Sequence, residues 1–214
     1  MRKRFNQQLA ELHEALIHMG KLCEEAISAS VGALLRQDAA MAETAIALEQ
    51  DIDQQERKTE SLCMKLLLQQ QPVAGDLRAV SSALRMISDM ERIGDQAADI
   101  AEITRHTGTA PLPGHLHIEE MTKAAVKMVA GSIASFVESD LQTAKEVMIY
   151  DDVVDQLFDE VKEELTVFIR SDRNAAGEAL DLLMIAKYLE RIGDHAVNIA
   201  EWVTYSLTGS KTQY

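Results

Sequence analysis

Two stretches decide how this chain reads: ERIGDQAADIAE, Glu91 to Glu102, and ERIGDHAVNIAE, Glu190 to Glu201. Nine of the twelve positions are identical at an offset of 99 residues. On a helix of 3.6 residues per turn, Ile93, Ala97 and Ile100 share one apolar face. Glu91, Asp95, Asp99 and Glu102 form a separate acidic stripe, repeated as Glu190, Asp194, Asn198 and Glu201. Gly94 and Gly193 fall inside these helices, at a cost of about 1 kcal/mol each relative to Ala. A missing side chain at that point lets another helix, or a ligand shell, come close.

Outward from these stretches, helix follows helix. Phe5, Leu9, Leu12, Leu16, Met19, Cys23 and Ala26 recur at steps of three and four, predicting a first helix to about Arg36. Asp38 is placed to cap a second helix to about Gln70. Gln71 to Gly75, QPVAG, breaks it, and a third helix runs from about Asp76 to about His106. TGTAPLPG, Thr107 to Gly114, holds two Gly and two Pro and reads as a linker. Three more helices follow, about 116–138, 141–170 and 174–207, with Asp140 and Asp172 as caps. Earlier in each half a fainter match has an offset of 102, placing Asp38 on Asp140, Glu49 on Asp151 and Asp53 on Asp155. The fold class is therefore all-α, six helices as two tandem three-helix bundles. The expected domains are 1–108, a linker 109–114, and 115–214.

The second and third helices of each half should form an antiparallel hairpin. Facing positions in such a hairpin have residue numbers with a constant sum. The sum is 144 for Asp53 with Glu91 and for Glu49 with Asp95, which centres the turn on Pro72. It is 345 for Asp155 with Glu190 and for Asp151 with Asp194, centred between Asp172 and Arg173. Each hairpin thus brings four carboxylates to one level. Like charges at i, i+4 cost about 0.2–0.5 kcal/mol per exposed pair, and Arg92 and Arg191 offset part of this. Oxygen donors in such number suit hard cations: magnesium, calcium, manganese or iron. His195, beside Asp194, is the single nitrogen candidate; the other five His are expected on the surface or in loops. A solvated acidic face paired with Lys or Arg is the competing explanation.

The bulk of the chain narrows the function classes. Its 214 residues are 47% hydrophobic and 4% aromatic, with three Pro, which favours long helices around a real core. A formal charge of −14 argues against nucleic acid, and leaves cations or basic protein partners. Cys23 and Cys63 sit among apolar residues and read as reduced core thiols. The opening MRKRFNQQLAE has no apolar signal core, and no stretch reaches the length of a membrane span. These features predict a cytoplasmic protein with no direct membrane insertion.

The tandem bundles, the E/D-x-x-x-D pairs and ERIGD followed by A-x-x-I-A-E in both halves resemble the PhoU family of phosphate-uptake regulators. PVAGDLR, Pro72 to Arg78, is similar to the sequence that precedes ERIGD in that family. The resemblance implies a cytoplasmic, non-catalytic, often dimeric helical protein. It implies negative regulation of phosphate uptake and of the phosphate-starvation response, by contact with the ATPase of the phosphate ABC transporter and a sensor histidine kinase. It also implies multinuclear metal sites of iron, zinc, manganese or magnesium. The ligands would be Glu49, Asp53, Glu91, Asp95 and Asp99 in one half, and Asp151, Asp155, Glu190, Asp194 and Asn198 in the other. Arg92, Arg191 and His195 would stand behind them. Asn198 departs from the Asp99 pattern and brings no charge. Two alternatives stay open: a metal-free helical adaptor, and a carboxylate-bridged di-iron enzyme. The second class requires paired E-x-x-H motifs, which neither acidic constellation carries.

Overall fold

The computed structural model describes residues 2–70, 72, 74–106 and 116–210. Six long helices carry them: α1 Arg2–Arg36, α2 Ala39–Gln70, α3 Gly75–His106, α4 Ile118–Glu138, α5 Leu141–Ser171 and α6 Ala176–Thr208. The expected linker lies outside the described residues, and α4 follows it. That helix begins two residues later than expected, at Ile118. The sixth helix is preceded by a 3-10 turn, Arg173–Ala175, so its α-helical part starts at Ala176 rather than Asn174.

The three predicted caps are formed. Asp38 Oδ1 accepts from Ala40 N at 2.9 Å. Asp140 Oδ1 accepts from Gln142 N at 2.8 Å and Thr143 N at 3.2 Å. Asp172 Oδ1 accepts from Asn174 N at 2.9 Å and starts the 3-10 turn. Each supplies an acceptor to backbone N–H groups that the helix itself leaves unpaired.

The apolar stripes close on one another. Leu12, Leu16, Met19, Cys23 and Ala26 of α1 are fully buried, as are Ile93, Ala97 and Ile100 of α3 and Ile192, Ala196 and Ile199 of α6. Within each half all three helices touch: α1, α2 and α3, then α4, α5 and α6. The halves meet through α3 against α6 and α1 against α4. The outer helices α2 and α5 touch only their own half. The four helices that carry the acidic stripes therefore run α2–α3–α6–α5, with α1 and α4 packed against that layer. Arg78, from the DLR of the PVAGDLR segment, fastens its far end: its Nε donates to the Ser206 carbonyl at 3.2 Å, close to where α6 ends at Thr208 and is capped by Gly209. A cation there also complements the negative end of the helix.

Candidate functional site

The hairpin register read from residue numbers holds to within two residues. A Cβ on Gly94 would lie 3.0 Å from Ile52 Cδ1, and one on Gly193 would lie 3.3 Å from Asp151 Oδ1 and 3.5 Å from Val154 Cγ1. The glycine of each ERIGD thus faces a close approach of the neighbouring helix. In the second half, that neighbour is a carboxylate of the site itself.

In the first half, Glu49, Asp53, Glu91 and Asp95 are each half-buried. Burial, then Asp53 and Asp95, push the Glu49 carboxyl above its ordinary range. Glu91 is raised by burial and by Asp95, with Arg92 opposing. Arg92 offsets the repulsion as expected, with Nη1 2.8 Å from Asp95 Oδ2 and Nε 3.4 Å from Glu91 Oε2. Arg57, which the sequence pattern did not single out, reaches Asp53 at 3.2 Å. Glu56 was also overlooked. It continues the stripe of Glu49 and Asp53 by one more turn, is raised by burial and then by Asp53, and is hydrogen-bonded to Ser88. Spacing alone could have found it, since Glu56 and Ser88 obey the same constant sum.

In the second half, Asp151 is pushed up to about 6 by burial, then by Asp155, Asp194 and Glu190. Asp194 is raised by partial burial and then by Glu190. Lys187 stands 2.6 Å from the Glu190 carboxylate. Arg191 does not take the place of Arg92: its charge acts on Asp99 of α3, across the junction between the halves, and on Tyr188 of its own helix.

With Arg191, that junction holds four of the sequence-identified residues: Asp99, Arg191, His195 and Asn198. Asp99 is raised by burial and lowered by a hydrogen bond with Tyr188. Asn198 Nδ2 donates to Asp89 Oδ1 at 3.2 Å, and His195 Nδ1 lies 3.0 Å from the same oxygen. The offset of 99 relates Asp99 to Asn198 and Asp89 to Tyr188. The two contacts are therefore one interaction with its polarity reversed: carboxylate to tyrosine on one side, amide to carboxylate on the other. Asp89 and Tyr188 carry no signal until α3 and α6 are known to pack together. Of the histidines expected on the surface, His13 instead packs edge-on against Phe136 with ring centroids 5.7 Å apart. His117 Nδ1 pairs with Glu164 Oε1 at 2.8 Å, tying the start of α4 to α5. His18 and His106 are exposed, and His115 lies outside the described residues.

The donor set of each hairpin is all hard oxygen, and the mutual raising of its carboxyls is what a cation would relieve. Among the described residues, no three His, Cys, Asp or Glu side chains converge as they stand on a point that would hold a metal ion. The donor chemistry fits; closing a coordination sphere requires these exposed and half-buried side chains to rotate. Cys23 and Cys63 take no part, since both are free and buried, and burial pushes the Cys63 thiol up to about 12.

The model of one domain family, described as the PhoU domain, matches residues 16–104 and again 118–203. The chain belongs to the PhoU family. It is 36% identical over 212 residues to the phosphate-specific transport system accessory protein PhoU homolog of Clostridium acetobutylicum, covering 98% of this chain and 97% of that one. The homolog of the same description in Pseudomonas aeruginosa is 32% identical, covering 99% of this chain and 88% of that one. Two PhoU crystal structures superpose on the fold. That from Pseudomonas aeruginosa gives a TM-score of 0.90 at 32% identity, over 96% of this chain and 100% of that one. That from Streptococcus pneumoniae, titled a phosphate transport system regulatory protein, gives 0.89 at 28%, over 98% and 100%. The six-helix tandem architecture expected from the repeat is thus a PhoU architecture. Among the described residues, no helix is long and apolar enough to cross a membrane.

Proposed function

We propose that this PhoU protein is a cytoplasmic, non-catalytic, dimeric accessory of phosphate transport that restrains uptake when phosphate is plentiful. Its partners in this reading are the ATPase subunit of the phosphate ABC transporter and a phosphate-sensing histidine kinase. The observation that carries it is the family match in both halves, together with full-length relatives named as accessory proteins of the phosphate-specific transport system. The long helical faces and the net charge of −14 suit docking onto basic protein surfaces. Deleting the protein from its host should leave phosphate uptake unrestrained in phosphate-rich medium, and the purified chain should bind the isolated ATPase subunit in calorimetry. Uptake that stays regulated in the deletion strain would overturn the reading.

The acidic hairpins serve in this reading as cation sites. Glu49, Asp53, Glu91 and Asp95 would hold metal in one half, with Asp99 beside them. Asp151, Asp155, Glu190 and Asp194 would do so in the other, with Asn198 contributing at most an amide oxygen. A bound iron, manganese, zinc or magnesium ion would supply charge neutralisation between helices. The first half holds the richer donor set, since Glu56 extends its stripe, whereas Phe158 stands at the repeat-related position. The metal-free adaptor remains the second reading, favoured by the ion pairs of Arg57, Arg92 and Lys187 with these same carboxylates.

A further inference from the structure

The seam between α3 and α6 repeats itself end for end. The offset of 99 that carries the Asp89–Asn198 contact onto Tyr188–Asp99 also carries Arg85–Trp202 onto Met184–Ile103. The two ends can therefore be compared residue by residue. At one end, α3 lays two arginines over α6. Arg78 Nε donates to the Ser206 carbonyl at 3.2 Å, and Arg85 Cζ lies 5.8 Å from the Trp202 ring centroid. Trp202 packs edge-on against Tyr205, with centroids 6.1 Å apart. Glu201 precedes Trp202 on α6, so this cover sets guanidinium groups over an aromatic ring beside a carboxylate. At the other end the acid is kept and the cover is missing. Glu102 repeats Glu201, and Ile103 stands for Trp202. Arg78 becomes Gly177, where an added Cβ would meet nothing within 4 Å. Arg85 becomes Met184, 44% exposed, and Ser81 becomes Leu180, 59% exposed. Asp181, half-buried, takes the place of the fully buried Ser82. Among the described residues neither Glu102 nor Asp181 forms an ion pair, because the nearby cations Arg105 and Lys187 are turned to Glu43 and Glu190.

We propose that this uncovered end of the α3/α6 seam, Ile103, Leu180 and Met184 with Glu102 and Asp181 at their side, docks an apolar helix of the transporter ATPase subunit that carries an arginine. The inference rests on the accessory reading above and gives it a surface. The covered end of the same seam shows what fits. There an arginine stem lies along apolar surface while its guanidinium takes up the acceptors beside it. The fold does not require apolar residues at positions 180 and 184, because its other end has Ser81 and Arg85 there. An apolar contact that seals Glu102 and Asp181 from water must bring its own cation, or leave two carboxylates desolvated and unpaired. Arginine on an apolar helix meets both needs, and it is among the residues that carry most of the binding energy at protein interfaces. Relatives named as accessory proteins of the phosphate-specific transport system favour the transporter subunit over the kinase.

Calorimetry of the full chain against the isolated ATPase subunit tests this, with Tm recorded for every variant. The native protein should bind, and Leu180→Asp should weaken binding at least about tenfold. Glu102→Gln should weaken it about tenfold and make it less sensitive to salt. The double variant Gly177→Arg, Met184→Arg copies the chain's own arginine cover onto the open end. It should weaken binding at least about tenfold at a Tm no lower than that of the native protein, since it removes a helical glycine. That pairing of results separates a blocked surface from an unfolded chain. A native protein that does not bind the subunit would overturn the partner and the surface together. Binding that is intact in the native protein and equally tight in Leu180→Asp and in the double-arginine variant would overturn the surface alone. Binding lost in Leu180→Asp but unchanged in Glu102→Gln would overturn the arginine.

Discussion

The two ERIGD glycines separate two effects of one missing Cβ. Ile52 is fully buried opposite Gly94, so it has nowhere to move when a methyl arrives at 3.0 Å. Overpacking of this kind costs about 1–3 kcal/mol, against roughly 1 kcal/mol gained in helix propensity. Gly94→Ala should therefore lower stability by about 1 kcal/mol in urea unfolding. Opposite Gly193, the near atom is a carboxylate oxygen that can rotate away. Gly193→Ala should leave stability level or slightly raised while displacing Asp151 from the site. If metal binding is unaffected in that variant, Asp151 is not a ligand. Asp38→Ala removes the α2 cap and should cost about 1 kcal/mol. These positions were legible in the sequence because both signals are local. A cap is a residue type before a periodic run, and the interhelical glycine recurs in both copies. Glu56 was equally local and lay in the same spacing. It was overlooked because the second half has Phe158 there, so the repeat that drew attention to the other carboxylates gave no weight to this one.

At the scale of the element, each hairpin carries its own register, and the constant sum of facing residues recovered it without coordinates. Glu56 against Ser88 follows it, and Ile52 against Gly94 lies two residues from it. The packing of α3 on α6 was not legible in this way, because no short turn joins them and no sum fixes their alignment. That contact assigns Asp99, Asn198, His195 and Arg191 to the junction, whereas the helical stripe alone places the first two with the carboxylates. The stripe is real, but a helix 32 residues long and packed against α1, α2 and α6 turns successive parts of one face to different partners. Tyr188→Phe should remove the hydrogen bond to Asp99 at a cost of about 1 kcal/mol. The same variant should leave the Asp89, His195 and Asn198 cluster in place, as judged by the His195 imidazole resonances. If those resonances shift as much as in Asp89→Ala, the two clusters are coupled, and the junction acts as one unit.

Across the whole molecule, the acidic hairpins carry an electrostatic cost to stability, which in the proposed reading a bound cation relieves. Glu49, Glu56, Glu91, Asp99, Asp151 and Asp194 all have carboxyls raised by burial and, with it, by neighbouring carboxylates. A raised carboxyl binds its proton more tightly in the folded than in the unfolded chain. Its contribution to stability is complete below the ordinary carboxylate range and is lost as pH rises through the folded value, about 6 for Asp151. The Tm of metal-free protein should therefore fall as pH is raised from about 5 to about 7, and 1 M salt should flatten the slope. A Tm that rises steadily over that range would mean that the carboxylates are held by their arginines and lysines rather than by repulsion. At neutral pH a bound cation should reverse the loss, by about 2.7 kcal/mol when its concentration is a hundred times its dissociation constant.

The most direct measurement is elemental analysis of the untagged chain beside its Glu91→Gln, Asp95→Asn, Glu190→Gln, Asp194→Asn variant, with Tm recorded before and after adding manganese or iron. The native protein should hold metal and gain Tm on metal addition. The variant should hold none, gain nothing, and be at least as stable as the native protein when both are metal-free, since its repulsion is gone. Native protein that takes up no metal from any of the four candidate ions, or a variant that retains as much as the native chain, would contradict the cation sites and leave the duplicated ERIGD as a protein-docking face.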